Sequence, residues 1–184
     1  MKIKIISVLV GILIGVFAGW YVNQNEKVIV GNETIVLEVF FGNSAMNPNS
    51  IDCNKVFPVE REVSKTEGVA RVVLQELFNG PTVAEEDRGY NSLFSEKTSA
   101  ILKNVKVQNG IAYVDLYDVR GIIPNASASC GSAHFLASIH ETLKQFPTVR
   151  DVRYAINGDP AVFYDWMQFG CNSTDTVCDP TPFK

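Results

Sequence analysis

The stretch Ser138-Ile139-His140-Glu141-Thr142-Leu143-Lys144 sets a histidine directly before a glutamate, as a zinc-protease helix does. Zinc on such a helix needs a second histidine at i+4, so that both ring nitrogens reach the ion from one face. The fourth residue after His140 is Lys144, a cation. His134 lies six residues before His140, about 120° away around a helix of 3.6 residues per turn. It shares a polar face with Ser138 and Glu141 instead. The metal reading fails on spacing, and His140 reads as a residue beside the core stripe of an ordinary helix.

Nucleophilic chemistry has one candidate pair. Cys130 precedes His134 by one helical turn, and a thiol beside an imidazole is the arrangement of a cysteine hydrolase. The rival reading is a disulfide. The chain has four cysteines, Cys53, Cys130, Cys171 and Cys178, and an even set in an exported protein reads as bridges. Three pairings are possible. Only six residues, rich in turn formers, separate Cys171 from Cys178, which favours a local bridge there and leaves Cys53 for Cys130. Glu85, Glu86 and Asp87 are adjacent, whereas calcium loops space their ligands at alternate positions, so they read as a solvated run. No Gly-rich phosphate loop is present. Neither a catalytic set, a cofactor site nor a metal site is expected.

The elements that position these residues follow from patterning. Of the 184 residues, 46% are hydrophobic and 20% charged, with a net charge of −4. A core is possible, and a nucleic-acid binder, which needs a basic face, is excluded. Residues 1–22 differ from the rest. Ile5 to Val22 is uncharged over 18 residues, about 27 Å of helix against a ~30 Å hydrocarbon core. Lys2 and Lys4 before the run, and Trp20 and Tyr21 at its far end, predict a signal anchor with the remaining chain outside the cytoplasm. A cleaved signal peptide, cut after Val16-Phe17-Ala18, is the alternative and exports the same domain.

Residues 23–33 then read as a linker, 34–160 as a domain, and 161–184 as a C-terminal tail with its own cysteine pair. Ile35, Leu37, Val39 and Phe41 alternate as in a strand, and residues 56–63 form an extended piece whose proline suits an edge. Ser64 and Glu67 fit a capping box, so a helix is expected from there to Asn79-Gly80-Pro81. Residues 82–96 read as a long acidic loop. Gln108-Asn109-Gly110 predicts a hairpin between 100–107 and 111–118. A second helix over about 129–145 and a last strand ending at Gly158-Asp159-Pro160 complete an α/β two-layer sandwich. Its mixed sheet has one antiparallel hairpin, and two main helices cover it.

Four pieces in this order carry a likeness: "VFPVEREV" (56–63), "VLQELFNGPTVAEE" (73–86), "VKVQNGIAYVDL" (105–116) and "ETLKQFPTVRDVRYAINGD" (141–159). Together they resemble the GerMN domain of sporulation and germination proteins, over about residues 34–160. The resemblance implies a ring-building-motif-like fold. It also implies a non-catalytic, exported, membrane-anchored module that binds an envelope protein or itself. The chain departs from the family in having one copy, no lipobox and the extra tail.

Alternatives remain open on the residues themselves. Tyr113, Tyr117, Tyr154, Tyr164 and Trp166 would suit cell-wall glycan binding, with peptidoglycan as ligand, and Cys130 with His134 would suit a hydrolase. Arg61, the charged residue that the family pattern also marks, reads as a salt bridge across the sheet to Glu38 or Asp115, or as a partner contact.

Overall fold

The computed structural model describes residues 33–172 and 174–184. The expected anchor over residues 1–22 lies outside them, as does nearly all of the linker. Among the described residues no helix is long and apolar enough to cross a membrane. Residues Thr34–Lys184 form one compact unit.

Two sheets and two long helices make up that unit. Strand β1, Thr34–Asn43, pairs antiparallel with β2, Phe57–Ser64, and at its far end with the short β3, Tyr90–Asn91. The second sheet is mixed. β4, Leu102–Gln108, and β5, Ile111–Leu116, form an antiparallel hairpin, and β6, Asp151–Ile156, lies parallel to β5. The hairpin turn rests on Asn109 and Gly110 at φ 53° and 84°, a left-handed pair that matches the twist of its strands. Parallel pairing of β5 with β6 requires a crossover, and helix α3, Ser129–Lys144, supplies it.

Helix α1, Val69–Asn79, buries Val73, Leu74, Leu77 and Phe78. It begins four residues later than the expected capping box. Ser64 does not cap it, because Ser64 is still in β2, paired with Thr34; sheet pairing overrides the local pattern. The helix stops where the sequence says. Gly80 has φ 78°, and a Cβ there would lie 2.5 Å from the Phe94 carbonyl oxygen, so both conformation and space demand glycine.

The expected acidic loop is structured. It contains helix α2, Val83–Glu86, and strand β3. Beyond residue 160 the chain stays with the domain. Helix α4, Pro160–Trp166, is capped by Asp159, whose carboxylate accepts the Ala161 amide at 2.9 Å, and it carries the fully buried Phe163. Phe163 stacks on Tyr154 with ring centroids 4.8 Å apart, and Phe135 bridges Phe163 to Phe94 and Phe78. Such aromatic pairs add about 0.5–1.5 kcal/mol each beyond their buried area.

Helix α3 has two different buried faces. Phe135, Ile139 and Leu143 are apolar, while Ser138 and Thr142 are polar and equally buried. The polar stripe meets the edge of β1. The Thr142 hydroxyl oxygen accepts the Phe40 amide at 3.1 Å. The Gln145 carboxamide accepts the Glu38 amide at 3.0 Å and donates to the Glu38 carbonyl at 2.7 Å. Side chains of a helix thus satisfy backbone groups that a neighbouring strand would otherwise bond.

Candidate functional site

Arg61 sits on β2 opposite Leu37, its guanidinium carbon 5.9 Å from the Phe41 ring centroid. It does not pair with Glu38 or Asp115. Its Nη1 and Nη2 donate to Glu85 Oε1 and Oε2 at 2.6 and 2.7 Å, and its Nε lies 3.8 Å from Glu76 Oε2. Glu38 stands opposite Glu60 on the neighbouring strand. Asp115 is held by Lys103 Nζ at 3.1 Å and by the Gly158 amide at 2.7 Å.

Glu85, one of the run expected to be solvated, is 5% exposed. It also accepts the Thr82 amide at 2.8 Å, completing a Thr-x-x-Glu capping pattern that the sequence displays and that was missed within the acidic run. Burial alone would raise the Glu85 pKa. The Arg61 fork and the Thr82 amide outweigh it and hold the carboxyl below its ordinary value. With both ends of the fork engaged, Arg61 fixes β2 to helix α2.

The cysteines are bonded as Cys53–Cys130 and Cys171–Cys178. The first bridge ties the loop after β1 to the start of α3 and borders a polar cleft of about 240 Å³. Asn43, Asn47, Asp52, Lys55, Asn91 and His134 line it. Gly42 forms its floor, where a Cβ would come within 2.6 Å of His134 Cε1. Much of the polar lining is spent on the loop itself. Asn43 Oδ1 accepts the Ala45 and Met46 amides at 2.9 and 3.1 Å, and the Asn47 Nδ2 donates to the Asp52 carbonyl at 2.8 Å.

His134 Nε2 is buried without a hydrogen-bond partner, and burial holds the ring's pKa below its usual value. The expected alternative of a thiol–imidazole nucleophile does not survive: the Cys130 sulfur is bonded to Cys53 and carries no thiolate. His140 stands on the surface, its Nδ1 3.4 Å from Glu141. Among the described residues no three His, Cys, Asp or Glu side chains gather around one point.

The aromatics considered for sugar stacking do not form a platform. Tyr154 is buried beneath Phe163, Tyr164 and Trp166 pack against the core, and Tyr113 meets Phe183 edge to face at 5.5 Å. Tyr117, 52% exposed, is the one that faces solvent.

What the fold does present is strand edge. Among the described residues β2 lies at the end of its sheet and pairs with β1 alone. On the opposite edge of β1 the groups of Glu38 and Phe40 are taken by Gln145 and Thr142. Those same bonds set the parity. Glu38 and Phe40 turn their amides away from β2, so Ile35, Leu37, Val39 and Phe41 turn theirs toward it, and Glu60 and Glu62 of β2 point their backbone groups outward.

No curated protein matches the chain. Among solved structures, the tandem GerMN domains of the sporulation protein GerM from Bacillus subtilis share 23% identity, over 68% of this chain and 40% of that one, with a TM-score of 0.47. The first GerMN domain of the same protein shares 22% identity over 67% of this chain and 84% of that one, with a TM-score of 0.45. This chain therefore spans about two fifths of the tandem structure. A family model described as "Germane: Sporulation and spore germination" matches residues 38–162, a span that takes in β1 through the first turn of α4 and both the Arg61–Glu85 and Asp115–Gly158 links. The chain belongs to that Germane, or GerMN-type, family of sporulation and spore germination domains.

Proposed function

We propose that the chain is a non-catalytic module, anchored in the membrane by residues 1–22, whose domain binds a protein partner or another copy of itself on the outer side of the cell membrane. The observation that carries this reading is the outer edge of β2, which no strand covers among the described residues. The Glu60 amide and the backbone groups of Glu62 face outward there, while the Pro58 and Glu60 carbonyls accept the Tyr90 hydroxyl at 3.2 Å and Arg61 Nη1 at 3.1 Å. A row of unpaired N–H and C=O groups is a template for another strand. The frame behind the edge is fixed by the Arg61–Glu85 fork, so binding needs little reorganisation of β2. Two disulfides suit an oxidising compartment, and the apolar run before the domain suits an anchor.

The test uses the full-length chain in intact cells. Alkaline washing should leave it in the membrane fraction, and external protease should remove the domain. Crosslinking should give a discrete product, lost when Glu60→Pro removes an outward amide from β2. Release by alkali would remove the anchor. A solitary monomer would remove the partner reading and favour the polar cleft beside Cys53–Cys130 as a small-ligand site, for which co-sedimentation with cell-wall material is the measurement.

A further inference from the structure

The second sheet also has an open edge, and its charge is opposite to that of the first. Among the described residues β4 pairs with β5 alone. The two-residue turn at Asn109–Gly110 makes Gln108 and Ile111 the closing hydrogen-bonded pair. Parity then pairs Lys106 with Tyr113 in the same way and turns the backbone groups of Val105 and Val107 outward. β4 has seven residues and β2 eight, and because Tyr90 and Arg61 take the Pro58 and Glu60 carbonyls, the stretch of β2 open to another strand runs from the Glu60 amide through Glu62. Glu60 and Glu62 are exposed along β2, and Lys103 and Lys106 along β4. Glu60, Glu62 and Lys106 stand on the faces of their sheets away from the core, since Val59 and Val63 face inward on β2 and Val105 on β4, while Lys103 falls at the register shift between Leu102 and Asn104.

Consider the combinations that the β2 and β4 edges of two copies can make. β2 against β2 sets Glu60 and Glu62 against themselves. β4 against β4 sets Lys106 against Lys106. β2 against β4 sets the glutamates against the lysines. Like charges directly opposite destabilise a strand pair and unlike charges support it. Charge therefore rejects both symmetric pairings and accepts the unsymmetric one.

Resting on the partner-binding reading above, we infer that the partner is a second copy of this chain, joined head to tail by adding the β2 edge of one copy to the β4 edge of the next. After one such contact the first copy still has a free β4 edge and the second a free β2 edge. Head-to-tail contacts propagate, closing into a ring if the rotation between copies allows it and otherwise forming a row. Both edges lie on one folded unit, so no chain rearrangement is required. The Lys103 ammonium already serves Asp115 at 3.1 Å, which leaves Lys106 as the principal cation for the neighbour's glutamates.

The test is zero-length carbodiimide crosslinking of the full-length chain in its membrane, using a mixture of light and ¹⁵N-labelled copies. Expected are ladders of dimer and higher products, with mixed-isotope peptide pairs joining Glu60 or Glu62 to Lys106. E60K/E62K alone and K106E alone each leave no carboxylate–amine pair across this contact and set like charges opposite, so each should lower that yield by roughly fivefold or more. Mixing the two variants should restore the ladder, since every β2–β4 contact between unlike chains is again attractive. A ladder that ignores the reversals, or links elsewhere on the surface, overturns the inference. Links to a different protein overturn it and leave the partner-binding reading standing. No product of any kind removes both.

Discussion

Arg61 and Glu85 form a two-pronged ion pair, with nitrogen–oxygen distances of 2.6 and 2.7 Å, across 24 residues of sequence. The pair joins two of the motifs that carry the family likeness, the arginine-bearing strand and the segment after Gly80-Pro81. The other two motifs are joined the same way, by Asp115 of β5 and the amide of Gly158. What identifies the domain in sequence is thus what locks its strands to its turns.

Removing one partner of the first pair leaves the other buried and uncompensated. Arg61→Met and Glu85→Leu are each expected to lower unfolding free energy by about 3–5 kcal/mol. Replacing both by apolar residues, R61M/E85L, should cost less than the two single losses added. Urea denaturation of all four chains closes the cycle. The folded Glu85 pKa lies below its ordinary value, so its stabilising share is present at neutral pH and is lost as pH falls below the ordinary carboxylate range.

The two disulfides should differ in weight. Cys53 and Cys130 are 77 residues apart, Cys171 and Cys178 only 7. Loop-closure entropy gives about 4.5 kcal/mol for the first and about 2.5 kcal/mol for the second. C53S/C130S should therefore lower the denaturation midpoint more than C171S/C178S. Equal midpoints for the two variants would contradict the entropic account.

Some of this was legible in the sequence and some was not, for physical reasons. Asn109-Gly110 and Gly80-Pro81 were readable because each turn demands a backbone conformation that few residues adopt. The Cys171–Cys178 bridge was readable because the loop is short. Ser64 misled because its capping pattern competes with pairing to Thr34, 30 residues away, which no local window contains. Glu85 was hidden because three acids in a row suggest solvent, while the Thr82-x-x-Glu85 spacing that marks it was not weighed. The polar stripe of α3 was half read. The spacing puts His134 and Ser138 on one polar face, but no local pattern shows that Thr142 and Gln145 beside it meet the backbone edge of β1. The partner acid of Arg61 is a tertiary fact, set by where α2 lands.

His134 gives the domain a pH dependence. Burial holds the folded pKa below the unfolded value of about 6.5, so the unfolded chain binds the proton more readily. Stability is then full above about pH 6.5 and declines as pH falls toward the folded value. Unfolding free energies measured at pH 7.5 and 5.5 should show this decline in the native chain and a smaller one in His134→Gln. An equal decline in both would place the sensitivity elsewhere.

Two hydroxyls on one face of α3 make opposite predictions. Thr142 and Ser138 are one turn apart and both are fully buried. The Thr142 oxygen holds the Phe40 amide at 3.1 Å, whereas Ser138 Oγ has no hydrogen-bond partner. Thr142→Ala removes that acceptor and leaves a buried backbone amide unsatisfied, a loss of about 1–3 kcal/mol. Ser138→Ala removes a hydroxyl whose desolvation nothing offsets, and alanine is the better helix former, so stability should rise by about 1 kcal/mol. Thermal midpoints of the two variants should move in opposite directions from the native chain. If both fall together, Ser138 bonds a partner in solution, and the α3 stripe is a fully connected seam along β1 and not one with a gap in its middle.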